Sequence, residues 1–134
     1  MKLIAYTDGA CRGNPGESAI GVIVFDAEDL QKPVLQLSES IGVMTNNQAE
    51  YISLIKLLEN TANMQYSSMT IKMDSKLVVE QMNGRYKVKN KNLLPLFTKA
   101  VKLFNAKKIQ LVHIPRELNT QADALANAAL DRLQ

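Results

Sequence analysis

Residues Leu3 to Phe25, LIAYTDGACRGNPGESAIGVIVF, hold two strand-forming runs joined by a glycine-rich connection, and this commits the chain to a sheet. The first run, Leu3-Ile4-Ala5-Tyr6-Thr7, is short and rich in β-formers. The second, Ile20 to Phe25, is almost continuously apolar, as suits a strand covered on both faces. Gly9, Gly13, Asn14, Pro15 and Gly16 supply turn chemistry between them, so Asp8 is expected where the first strand ends. A carboxylate at the rim of a buried strand needs either a hydrogen-bonding loop or a cation.

The later segments extend the sheet and add helices. Ala27 to Lys32 reads as a turn, and Val34 to Glu39 alternates in the period of a third strand. Thr45, with Gln48 three residues on, is a capping-box pattern that opens a helix carrying Tyr51, Ile52, Leu54, Ile55, Leu58 and Ala62 at helical spacing. Glu50 is expected in its first turn, where an anion is favoured. Met69 to Met73 is a fourth strand ending at Asp74, and Ser75 to Met82 is a short helix closed by Gly84. Leu93 to Phe104 is an amphipathic helix with Pro95 in its first turn, and Ile109 to Ile114 is a fifth strand. Thr120 and Asp123 form a second cap pattern opening the last helix, to Leu133.

Three strands, then helix, strand, two helices, strand and helix describe an α/β layer fold whose fourth and fifth strands run parallel to the first. At 134 residues one compact domain, residues 1–134, is expected. Cys11 is the only cysteine, which excludes an intrachain disulfide or thiolate cluster and makes a reducing compartment the simpler assumption. No apolar run approaches the roughly 20 residues of a membrane span, so no membrane partner is expected and the protein is expected to be soluble and cytoplasmic. The glycines lack G-x-G-x-x-G spacing and no Gly-Lys-Ser/Thr follows, which excludes dinucleotide and P-loop readings.

In such sheets ligands gather at the carboxyl ends of strands. Asp8 and Asp74 sit at such ends, and Glu50 and Asp123 open helices that can cover the same rim. Two carboxylates about 4 Å apart repel by roughly 4 kcal/mol at an effective dielectric near 20, so four of them require a counter-charge. Oxygen ligands without His or Cys point to Mg²⁺ or Mn²⁺ rather than zinc. Paired ions held by acids suit phosphodiester hydrolysis. The net charge of +3 permits an anionic partner without identifying one, but Arg85 to Lys91, RYKVKNK, concentrates basic residues with no acid among them.

TDGACRGNPG around Asp8, MTNNQAEY around Glu50, KMDSKLV around Asp74 and NTQADALAN around Asp123 resemble, in order, the four motifs of type 1 ribonuclease H. The resemblance implies a mixed five-stranded sheet with the second strand antiparallel and helices on both faces. It further implies a single catalytic domain that cleaves the RNA strand of RNA/DNA hybrids internally, by a two-metal-ion mechanism, leaving 3′-hydroxyl and 5′-phosphate ends. Asp8, Glu50, Asp74 and Asp123 match the metal-binding catalytic acids, two Mg²⁺ per site with Mn²⁺ as substitute, and Asp8 is expected to bridge both. Gly13, Asn14, Asn46, Lys76 and Asn90 match positions that contact the RNA strand; such contacts read the 2′-hydroxyl and minor groove. Thr45 matches a DNA-phosphate position, although the family's nearby Arg is replaced by Val43. Arg85, Lys87 and Lys89 of the basic run are further substrate-binding candidates.

The chain has no Trp and only the compact Arg85 to Lys91 segment where many members insert a long basic protrusion, so it resembles the shorter archaeal and bacterial subgroup. The family's mobile histidine has two candidate replacements: His113, otherwise a packed or hydrogen-bonded strand residue, and Arg116, otherwise a solvated turn charge. Arg116 is favoured. A monomer is expected, and duplex RNA remains open as a second substrate. Two other readings stand beside this one. A non-catalytic hybrid-binding module gives no reason to keep four clustered acids, and a DNA recombination nuclease shares the acids but not the RNA-contact pattern.

Overall fold

The computed structural model describes residues 1–134. Its elements are β1 (Lys2–Arg12), β2 (Gly16–Asp26), β3 (Leu35–Met44), α1 (Asn46–Thr61), β4 (Ser68–Met73), α2 (Lys76–Met82), α3 (Leu94–Leu103), β5 (Ile109–His113), a 3-10 turn at Arg116–Leu118 and α4 (Thr120–Asp131). The five strands form one sheet in the order β3-β2-β1-β4-β5. The β1-β2 and β2-β3 pairs are antiparallel, and β4 and β5 run parallel to β1. This is the mixed sheet with an antiparallel second strand expected from the sequence.

Helices cover both faces. On one face α1 lies over β1 and β2, with α3 against it, and Leu3, Ala5, Val22, Val24, Tyr51, Leu54, Ile71 and Met73 form the main core. On the other, α4 lies over β1, β2 and β3, where Ala19, Ala129 and Leu130 form a small second cluster. The small residues of α4 let it come close: a Cβ at Gly21 would stand 2.7 Å from the Ala126 nitrogen and overlap the Ala122 carbonyl. No helix is long and apolar enough to cross a membrane.

Four local expectations are corrected. First, β1 does not end at Asp8. Its antiparallel ladder with β2 continues from Asp8↔Gly21 to Arg12↔Glu17, whereas its parallel ladder with β4 stops at Thr7↔Met73. Asp8 therefore stands where β1 outruns β4, and the true connection shrinks to Gly13, Asn14 and Pro15. Second, β3 extends to Met44 because it follows the lengthened β2, with a register shift between Ser18 and Ala19. Third, the Thr45–Gln48 capping box forms as expected, but helical residues begin at Asn46, which puts Glu50 in the second turn. Fourth, α4 is entered from Asn119, not Thr120, and no side chain caps it: the Asn119 Nδ2 donates to the Thr7 carbonyl, and its Oδ1, the atom that would cap, is buried without a partner. Asp123 does fall in its first turn.

Candidate active site

The four acids reach one cleft by different routes. Asp8 and Asp74 rise side by side on neighbouring parallel strands, Asp74 being the first residue after β4. Glu50 comes from α1, which presses on β1 at Gly9: a Cβ there would stand 2.6 Å from the Ala49 carbonyl oxygen and the Glu50 nitrogen. That close approach lets the Gly9 N–H donate to the Glu50 carboxylate. Asp123 enters from α4. Ligand oxygens of Asp8, Glu50 and Asp74 lie within 4.8 Å of one another. Asp123 stands outside this trio but lines the same cleft of about 530 Å³.

None of the four acids takes part in a salt bridge. Burial pushes the Asp8 carboxyl far above its ordinary value of 3.8, and the neighbouring charges of Glu50 and Asp74 push it further. Glu50 is also raised, again first by burial, against the lowering effect of the Gly9 N–H. These are acids that resist ionising together without a cation. The donors are all carboxylate oxygens. Cys11 lines the cleft, but its thiol turns to backbone carbonyls of Gly13, Gly16 and Met44. A hard divalent cation fits this donor set; a thiophilic one does not.

Neutral donors orient three of the acids. Besides Gly9 on Glu50, the Asn119 amide donates to the Thr7 carbonyl at 2.9 Å and to Asp74 Oδ2 at 3.3 Å. The Asn127 amide donates to the Asp123 carbonyl oxygen at 2.9 Å and to its Oδ1 at 3.2 Å. Both asparagines belong to the NTQADALAN segment, but neither is among the residues expected from the sequence to form the site. The available signal is their spacing, four residues on either side of Asp123.

Residues 6–129 match the family model described as "Reverse transcriptase-like". The chain is 42% identical over 132 residues to the bifunctional protein Rv2228c of Mycobacterium tuberculosis, covering 98% of this chain and 36% of that protein. It is 38% identical over 128 residues to ribonuclease HI of Halobacterium salinarum, covering 95% of this chain and 63% of that protein. Among solved structures, LC11-RNase H1 in complex with an RNA/DNA hybrid gives a TM-score of 0.88 at 40% identity, with 98% of each chain covered. The chain belongs to the ribonuclease H family. It spans 36% to 63% of the length of these two curated relatives.

Set in the ribonuclease H frame, the remaining candidates divide into those the fold gathers and those it leaves apart. Asn46 and Arg116 line the acid cleft. Asn14, in the β1–β2 turn beside Gly13, accepts the Asn46 backbone N–H at 3.0 Å, and Thr45 caps the same helix end, so these four form one continuous rim. Lys76 is the exposed first residue of α2, one step from the Asp74 segment. Asn90 lies outside the cleft, its side chain accepting the Asn92 N–H at 2.7 Å.

Within the basic run, Arg85 is held by Glu80 through two contacts of 2.6 and 2.8 Å, whereas Lys87, Lys89 and Lys91 are exposed and free of salt bridges. The run is tied to the core through Gln81, which donates to the Lys87 carbonyl and accepts from the Tyr51 hydroxyl. His113 requires a correction. It ends β5 as expected, but its side chain is exposed and without a hydrogen-bond partner: it follows Ile109 and Leu111 on the same face, yet stands at the open end of this edge strand where their cover has run out. It does not line the cleft.

Proposed function

We propose that residues 1–134 form a single ribonuclease H catalytic domain that hydrolyses the RNA strand of RNA/DNA hybrids internally, as a monomer. The observation that carries this is the convergence of Asp8, Glu50, Asp74 and Asp123 on one cleft with no salt bridge to any of them, in a chain similar to a hybrid-bound ribonuclease H1. The acids are the residues that would hold Mg²⁺, or Mn²⁺ in its place, with two ions per site. Bound there, the ions supply a nucleophilic water near neutral pH and neutralise charge on the scissile phosphate.

The chain's own groups do the rest. Gly13, Asn14 and Asn46 stand on the rim where an RNA strand enters, with backbone and amide groups suited to the 2′-hydroxyl and the minor groove. Thr45 faces the DNA strand from the same helix end. Lys76, Asn90 and the exposed lysines of the 85–91 run attract the backbone farther along; Arg85 contributes less, since Glu80 already engages it. In the reaction, water oxygen joins phosphorus as the bond to the 3′ oxygen breaks, and that oxygen takes a proton. The products are a 3′-hydroxyl and a 5′-phosphate. Arg116 is the only cation lining the cleft and is the group suited to draw the cleaved phosphate away.

The test uses matched 5′-labelled substrates of one sequence: RNA/DNA hybrid, duplex RNA and duplex DNA, each with Mg²⁺ and with EDTA. Internal cleavage of the hybrid's RNA strand only with Mg²⁺, duplex DNA remaining intact, is the expected result. Cleavage of duplex DNA would favour a recombination-type nuclease, and tight hybrid binding without cleavage a binding module.

A further inference from the structure

We propose that Asn127 is a positioning residue of this site: its amide holds the Asp123 carboxylate toward the cleft, so that the fourth acid serves the cation held by the other three. The inference deepens the reading just given and rests on it. Asp123 is the acid with the weakest claim to its place. It stands outside the mutual 4.8 Å of Asp8, Glu50 and Asp74, it is only half-buried, and its helix begins without a side-chain cap. A free aspartate at such a position samples several rotamers into solvent, and ordering it costs entropy each time a cation binds.

Asn127 lies one turn on, so the two side chains share a helix face. Its Nδ2 donates both to the Asp123 carbonyl and to Oδ1, which fixes the carboxylate against its own helix, and it lines the same cleft. The donor's neutrality matters. A lysine or arginine four residues on would also orient the carboxylate but would cancel the charge that a cation needs; a leucine would leave it free. The same device stands behind Asp74, where Asn119, 1% exposed, donates from the other end of α4. Groups that orient metal ligands in this way typically change metal affinity or activity about 10- to 100-fold when removed.

The bland alternative is that Asn127 merely bonds back to a carbonyl of its own helix. The two roles separate when the melting temperature and the initial cleavage rate are followed across a Mg²⁺ titration, starting from EDTA. Wild type is compared with Asn127→Leu, Asn127→Gln, Asp123→Asn and Asp123→Asn/Asn127→Leu. Asn127→Leu is expected to keep its melting temperature in EDTA and to raise the Mg²⁺ midpoint of both readouts about tenfold. Asn127→Gln, which keeps an amide donor, recovers most of that shift. In the Asp123→Asn background, Asn127→Leu adds nothing further.

An unchanged Mg²⁺ midpoint in Asn127→Leu, with or without a lower melting temperature in EDTA, overturns the inference. So does an equal shift in the Asp123→Asn background. A wild-type protein that Mg²⁺ neither stabilises nor activates overturns the cation reading beneath it. If wild type responds to Mg²⁺ and the Asn127→Leu midpoint does not move, only the role of Asn127 fails.

Discussion

Asp8 carries the conflict on which the site depends: it is buried, it faces Glu50 and Asp74, and no cationic side chain pairs with it. The consequence for stability has a definite sign. In the unfolded chain Asp8 releases its proton near the ordinary value of 3.8, whereas the folded chain keeps it to far higher pH, as it does to a lesser degree at Glu50. The folded state thus binds more protons, and stability falls as pH rises. That stability is fully present below the ordinary carboxylate range and is lost as pH climbs through the raised values. In EDTA, the melting temperature of wild type is expected to fall between pH 5 and pH 9 by about 5 °C or more, reflecting on the order of 2 kcal/mol. Asp8→Asn removes one member of the repelling cluster, so it is expected to flatten this decline and, at pH 9, to melt no lower than wild type. Thermal scans over that pH range check both, and a melting temperature rising with pH would contradict the account.

The elements that carry these groups were largely legible because strands and helices announce themselves by period. The apolar run of β2, the Thr45–Gln48 box and the stripe from Tyr51 to Leu58 fall where the structure has them, whereas Ala62, expected on that stripe, is the exposed residue that ends the helix. What stayed hidden was relational. Nothing in Asp8 to Arg12 distinguishes a glycine-rich turn from a strand that outruns one neighbour while still paired to the other, so β1 continues past its expected end. The Asn119 and Asn127 amides were hidden for the same reason: their meaning depends on Asp74 and on which face of α4 meets the cleft. His113 failed differently, since an apolar flank suggested packing that the open end of this edge strand does not provide. Because the ring is exposed, His113→Ala opens no cavity and is expected to leave stability close to wild type. The 3-10 turn after β5 is therefore the segment to probe. Arg116→Ala is expected to lower steady-state turnover several-fold while leaving the single-turnover rate and KM close to wild type, departure of the cleaved phosphate being the step proposed for it. A single-turnover rate that falls in parallel would instead place Arg116 in the cleavage step.

Taken together, the molecule separates its charges. Thirteen acids and sixteen basic residues nearly balance, yet four acids crowd one cleft while Lys87, Lys89 and Lys91 stand exposed on a loop anchored through Gln81 to Tyr51. A polyanion approaching such a surface is attracted by the lysines and repelled by the acids, so binding and cleavage are expected to respond oppositely to loss of an acid. The most direct test is Asp74→Asn, assayed side by side for hybrid affinity and for single-turnover cleavage with saturating Mg²⁺. The amide keeps the carboxylate's shape, including a place beside Asn119, but not its charge. Cleavage is expected to fall by at least about 10³-fold, equivalent to about 4 kcal/mol of lost transition-state stabilisation, while hybrid affinity stays at or above that of wild type. Near-wild-type cleavage by Asp74→Asn would contradict the assignment of this cleft as the active site.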